Sequence, residues 1–91
     1  MPTISWFHGI SIRMFFNDHA PPHFHAYYAG NVAQVAIETG RIIRGSLPPR
    51  QRRLVETWAL RYTESLMAAW TLACADIPFE RIPGLDADND Q

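Results

Sequence analysis

The chain has 91 residues, of which 47% are hydrophobic and 19% are charged, and its formal net charge is −1. This composition predicts one globular domain and excludes a disordered chain. The nearly neutral balance excludes attraction of the whole protein to nucleic acid by net charge, and the single cysteine, Cys74, excludes an internal disulfide bond. The first residues do not resemble a signal peptide and no apolar run has membrane-spanning length, so we expect a cytoplasmic protein with no membrane partner.

Apolar and polar residues alternate through the first half of the chain, which predicts β-strands with one apolar face. The predicted strands cover residues 3–7, 10–16, 23–28, 32–38 and 41–46. Short turn sequences separate most of them, namely His8-Gly9, Ala29-Gly30-Asn31 and Thr39-Gly40. Because hairpin turns join neighbouring antiparallel strands, we expect an antiparallel meander of four to five strands.

The spacing of apolar residues changes to a helical period after Leu47-Pro48-Pro49. Proline is tolerated in the first turn of a helix, so these residues are compatible with a helix start. Apolar residues then recur on one helical stripe, at positions 54, 55, 58, 62, 66, 70, 73 and 77. Thr63 followed by Glu64 is typical of a helix start, so we predict two helices joined near Tyr62-Thr63. Pro78 ends the second helix, and we expect residues 79–85 to fold back on the domain.

These patterns predict an α+β fold, in which the meander is followed by two C-terminal helices packed on one sheet face. We expect one domain over residues 1–85 and an acidic, flexible tail over residues 86–91. Trp58, Trp70 and Cys74 lie on the helical stripe, and we expect all three side chains in the core.

The connector before the third strand, residues 17–25, has an unusual composition. It reads Asn-Asp-His-Ala-Pro-Pro-His-Phe-His and holds three of the four histidines of the chain. Each proline fixes its φ angle and lacks a backbone donor, so Pro21-Pro22 makes the connector stiff. We therefore expect the polar side chains on it to be held in place.

A metal site is one interpretation of this segment. His23 and His25 are two positions apart on a predicted strand, so both side chains project from one face. This His-x-His spacing suits one transition-metal ion such as zinc or nickel. His19 or Asp18 would be a third ligand, which leaves an open position for water.

Acid–base catalysis is a second interpretation. Cleavage of RNA without a metal ion needs a general base, a general acid and a cation on the phosphate. His19, His23 and His25 titrate near neutral pH, and Asp18 lies in the same patch. Arg13 lies on the strand face that would approach the histidines and would supply the cation.

Other residues would bind rather than react. Tyr27 would stack a nucleic-acid base on the same sheet face. Arg41 and Arg44 begin a basic segment that continues into the first helix. Such a segment is a phosphate track, a docking surface for an acidic partner or a solvated face.

A structural corner is the third interpretation. Asp18 would then cap the turn before the prolines, and His23 and His25 would line a solvated sheet face. In that case the protein is a non-catalytic interaction domain.

Several segments together resemble one bacterial family, known as domain of unknown function 4160. The resemblance covers residues 1 to about 85 and rests on Met1-Pro2-Thr3-Ile4-Ser5, Ile12-Arg13-Met14, residues 17–25, Thr39-Gly40, Leu47-Pro48 and Ile82-Pro83. Members are similar to partners in two-gene modules, beside a small protein of domain of unknown function 2442, which implies a type II toxin–antitoxin-like pair. We predict a component of such a pair that binds or acts on RNA through residues 18–25, with a cognate small protein as its partner. A metal-binding module and an interaction domain remain the alternatives.

Overall fold

The computed structural model describes residues 3–85 and contains five strands followed by two helices. The strands are β1 (Thr3–Phe7), β2 (Ile10–Arg13), β3 (His23–Tyr28), β4 (Asn31–Ala36) and β5 (Ile42–Gly45). The helices are α1 (Pro49–Arg61) and α2 (Thr63–Cys74). The predicted α+β architecture is confirmed, whereas the predicted tail at residues 86–91 lies outside the described residues.

The five strands form one sheet in the order β1-β2-β3-β4-β5, and every neighbouring pair is antiparallel. Two of the predicted turns are two-residue hairpin loops. His8 and Gly9 have φ angles of 50° and 76°, and Ala29 and Gly30 have 47° and 86°. Positive φ at both loop positions matches the twist of the flanking strands, which explains the meander topology.

One face of the sheet is the core face. Its β2, β3 and β4 residues are almost completely buried, namely Ile10, Ile12, Phe24, Ala26, Ala33 and Val35. Trp58 of α1 is fully buried over this face, with its ring 5.2 Å from that of Phe7 and 5.5 Å from that of Phe24. Large aromatic side chains in mutual contact supply much of the buried apolar area of so small a domain.

The two helices meet where the sequence predicts. Pro49 is at the start of α1, where the missing N–H of proline would have had no intrahelical partner. α1 ends at Arg61, and Tyr62, with φ −113° and ψ 29°, separates it from α2. None of the described helices has the length and apolarity needed to span a membrane.

The segment after α2 folds back on the domain, as predicted. The Ile82 N–H donates a hydrogen bond to the Ile4 carbonyl at 2.7 Å. The Trp58 indole Nε1–H donates another to the Pro83 carbonyl at 2.8 Å. The segment is therefore tied both to the edge strand β1 and to α1.

The predicted burial of Cys74 is wrong, because its side chain is exposed, and Ile77, the last position of the apolar stripe, is exposed as well. α2 stops at Cys74, and Asp76 has a left-handed φ of 61°. The Ile77 N–H then donates to the Leu72 carbonyl at 2.8 Å, which closes the helix end. Since the helical period does not continue past Cys74, the stripe cannot place Ile77 in the core.

Candidate metal centre

The connector between β2 and β3 is held at both ends by backbone hydrogen bonds. The Asn17 N–H donates to the Ala73 carbonyl near the end of α2 at 3.1 Å. The Ile37 N–H, just after β4, donates to the Pro22 carbonyl at 3.1 Å. Strand β2 ends at Arg13, three residues earlier than predicted, so the chain leaves the sheet to make these contacts. This geometry brings Asp18 back to the beginning of β3.

His23, the first residue of β3, contacts Asp18 and the connector backbone. Its Nε2 atom lies 3.0 Å from Asp18 Oδ2, and its Nδ1 atom lies 2.7 Å from the Pro21 carbonyl oxygen. A carbonyl oxygen only accepts hydrogen bonds, so Nδ1–H is the donor. Nε2 and the carboxylate oxygen then attract each other only when a cation lies between them, either a second proton or a metal ion.

His23 is also buried, although the structural-corner interpretation placed its side chain on a solvated sheet face. Its side chain is only 4% exposed, and its ring centroid lies 5.3 Å from that of Trp70 on α2. The alternation of β3 correctly places His23 on the face opposite Phe24, but Trp70 of α2 packs against the imidazole. The predicted exposure of His23 is therefore wrong.

His25 lies two positions further along β3 on the same face, with its ring centroid 5.2 Å from that of His23. Its Nδ1 atom is buried and has no hydrogen-bond partner among the described residues. Burial lowers the pKa of His25 below its usual value, the neighbouring His23 lowers it further, and the Asp18 carboxylate raises it in part. The site thus holds a neutral imidazole beside a carboxylate at neutral pH.

Asp18, His23 and His25 form a cluster, which we call the His/Asp cluster. Each residue offers one ligand atom, and these atoms all lie within 4.8 Å of one another. His19 is not in this group. Its imidazole is 92% exposed, and its Nδ1 atom lies 3.2 Å from Asp18 Oδ1, the other carboxylate oxygen. Of the two predicted third ligands, the structure brings Asp18 rather than His19 to the pair of histidines.

Arg13 and Tyr27 lie beside the cluster on the same sheet face. Arg13 is the cross-strand partner of His25. Its guanidinium carbon lies 4.1 Å above the centre of the Tyr27 ring, and its Nε–H donates to Ser11 Oγ at 3.2 Å. The predicted proximity of Arg13 to the histidine face is present, although Arg13 stacks on Tyr27.

A pocket of about 210 Å³ adjoins the cluster and is lined by His19, Pro21, His23, Gln34, Ile43 and Arg44. Arg44 is the cross-strand partner of Gln34, and Gln34 is that of His25. Arg41 is exposed and does not line this pocket. Sequence reasoning therefore found Arg44 but missed Gln34, for which the polar alternation of β4 was the available signal.

A larger cavity, of about 440 Å³, lies between α2 and residues 78–83. Its lining includes Ala68, Leu72 and Phe79 and none of the four histidines. The chemistry-bearing side chains are therefore at the smaller pocket.

The fold and the cluster define a small α+β domain with a His/Asp cluster at the entry to its third strand. The chain belongs to the family described as Domain of unknown function (DUF4160), which matches residues 9–71. This match includes Asp18, His23 and His25 and most of both helices. No curated protein and no solved structure matches the chain.

Proposed function

We propose that the protein binds one divalent transition-metal ion through Asp18, His23 and His25. The observation that carries this proposal is the convergence of one ligand atom from each residue within 4.8 Å. Metal–nitrogen and metal–oxygen bonds are about 2.0–2.2 Å long, so two ligands of one ion lie roughly 3–4 Å apart. The 3.0 Å distance between Asp18 Oδ2 and His23 Nε2 is already suitable for adjacent ligands.

The surroundings of both histidines support the same proposal. A metal-ligating histidine typically donates its other ring N–H to a carbonyl or carboxylate, which fixes the tautomer. The Pro21 carbonyl does this for His23 Nδ1 and leaves Nε2 for the ion. The lowered pKa of His25 keeps its imidazole neutral, so at neutral pH it binds a metal without first losing a proton.

The ligand set indicates the class of metal and of chemistry. Two imidazoles and one carboxylate are the ligands of non-haem iron(II) sites and also of hydrolytic zinc sites. Three protein ligands leave at least one position for water or a substrate. Asp18 is partly exposed, so solvent reaches the cluster from its side. A bound water at such a position supports hydrolysis.

The test is calorimetric titration of chelator-stripped protein with zinc, nickel and, without oxygen, iron(II). We expect one ion per chain, with binding lost in Asp18→Asn and in His25→Ala. His19→Ala should bind as the wild type does, because His19 lies outside the cluster, and His8→Ala serves as a second histidine control. The absence of heat with all three metals, or loss of binding in His19→Ala alone, would contradict this ligand set.

The face of the sheet opposite the core supports RNA binding as a second candidate function. Cross-strand pairing arranges it in two rows, Trp6-Ser11-Tyr27-Val32 and Arg13-His25-Gln34-Arg44. The first row offers Trp6, 58% exposed, for base stacking, whereas Arg13 covers one face of the Tyr27 ring. The second row offers an arginine at each end for phosphates.

Binding of a fluorescent single-stranded RNA at increasing salt tests this candidate. Stacking of a base on an aromatic ring contributes about 1–3 kcal/mol, so Trp6→Ala should weaken binding by a factor between about 5 and about 150. Leu60→Ala, at an exposed apolar position on α1, is the matched control and should bind normally. Equal affinities for the two variants would exclude the sheet face as the RNA site.

The proposed toxin–antitoxin-like pairing rests on the family alone. We propose a cognate small protein as the partner, because members of this family resemble one half of two-gene modules. Induced expression of this protein should change growth, and co-expression of the neighbouring gene should alter that change. If the partner covers the sheet face, Trp6→Ala should alter the growth effect as well. Unaltered growth in every combination would exclude the pairing.

A further inference from the structure

The pocket beside the His/Asp cluster has a composition suited to an anion. Arg44 projects into it from β5, and Gln34 adds an amide with two N–H donors. Among the described residues that line the pocket, none has a carboxylate. Arg44 also has no carboxylate within salt-bridge distance in residues 3–85, so its five donors remain available.

The position of the pocket connects it to the cluster. His23 belongs to both, because it lines the pocket and offers a ligand atom to the proposed metal ion. His19, whose imidazole lies beside Asp18, forms another part of the lining. A divalent ion at the cluster would therefore add positive charge to the part of the pocket that His23 lines.

The volume limits the size of the ligand. At about 210 Å³ the pocket is smaller than the roughly 300–1,000 Å³ that holds a drug-sized molecule. A guanidinium fork matches the two oxygens of a carboxylate or phosphate group. A small oxyanion therefore fits both the chemistry and the space.

We propose that this pocket binds the carboxylate or phosphate group of a small molecule between Arg44 and the metal ion at the His/Asp cluster. This inference rests on the proposed metal function, since the ion is one of the two positive groups that hold the anion. It names the substrate class of that site, a small oxyanion placed next to an open coordination position.

The experiment measures binding of inorganic phosphate and, separately, of acetate to metal-free and nickel-loaded protein by calorimetry. We expect nickel to raise the affinity for one of the two anions, and the tighter anion identifies the class of head group. Charged hydrogen bonds to an anion are strong, so Arg44→Ala should weaken binding at least about tenfold. Arg41→Ala removes a nearby exposed arginine outside the pocket and should have no effect.

Arg44→Lys is the second variant, because it keeps the charge but removes the planar fork. We expect it to bind more weakly than the wild type and more tightly than Arg44→Ala. Equal weakening by Arg41→Ala and Arg44→Ala, or binding that nickel does not strengthen, would overturn the inference. Failure of nickel itself to bind would instead overturn the proposed metal function, so the two failures are distinguishable.

Discussion

The imidazole of His23 and the carboxylate of Asp18 meet at 3.0 Å, on the side of the ring that faces away from the Pro21 carbonyl. Because Nδ1 already donates to that carbonyl, the Asp18 contact needs a further positive ion between its two atoms. A divalent metal ion that binds both atoms supplies this positive charge.

Metal binding should weaken in acid, because protons compete with the metal ion for its imidazole ligands. We expect a lower affinity at pH 5.5 than at pH 7.5, since histidine ligands bind a metal only in their neutral form. Calorimetric titration of the chelator-stripped protein with zinc at the two pH values measures this effect. Equal affinities at both pH values would contradict histidine ligands.

His23→Ala should destabilise the domain, because His23 is buried against Trp70 and partners Asp18. Loss of a buried, hydrogen-bonded group costs about 1–3 kcal/mol, and each kcal/mol lowers the melting temperature of so small a domain by about 4–8 °C. His19→Ala is the matched control, because its exposed side chain should contribute within about 0.5 kcal/mol. Thermal melts of both variants that coincide with the wild type would contradict the burial of His23.

The fold could be predicted because its signals are local. The hairpin loops are marked by Gly9 and Gly30, the start of α1 by Pro49, and the joint between the helices by Thr63. Each of these residues acts on the backbone within a few positions of itself. The spacing of the apolar residues then indicates whether the segment before or after such a residue is a strand or a helix.

The candidate site could be predicted only in part. Strand alternation alone places His23 and His25 on one face, and Arg13 with them. The covering of His23 by Trp70 could not be predicted, because it depends on where α2 docks, about 45 positions further along the chain. The choice of Asp18 over His19 depends on the path of the connector, and no periodicity describes an irregular segment.

The stability of the metal-free protein should fall as the pH is lowered below about 6.5, the usual pKa of histidine. Because burial lowers the pKa of His25 in the folded state, the unfolded chain takes up the proton at a higher pH than the folded chain does. Protonation therefore favours unfolding, and the contribution of His25 is fully present only above the unfolded pKa.

Chemical denaturation between pH 7.5 and pH 5.5 measures this effect. The free energy of unfolding should decrease less for His25→Gln than for the wild type over this range, because the variant lacks the partly buried titrating imidazole. His19→Ala should keep the wild-type pH dependence, since its imidazole is exposed. A His25→Gln variant that follows the wild-type curve would show that His25 does not titrate differently in the two states.

Gly45, at the end of β5, should tolerate alanine far less than Gly30 does. Both have positive φ angles, 79° and 86°, so an L-residue is strained at either position by about 1 kcal/mol. At Gly45 an added Cβ would also collide with the Val32 carbonyl oxygen, whereas at Gly30 it would meet no atom within 4 Å. Overpacking against backbone costs about 1–3 kcal/mol, so Gly45→Ala should lower the melting temperature clearly more than Gly30→Ala. Gly45 directly follows Arg44, so Gly45→Ala should also weaken phosphate binding, whereas Gly30→Ala should not. Equal melting temperatures for the two variants would contradict the close approach of β5 to β4.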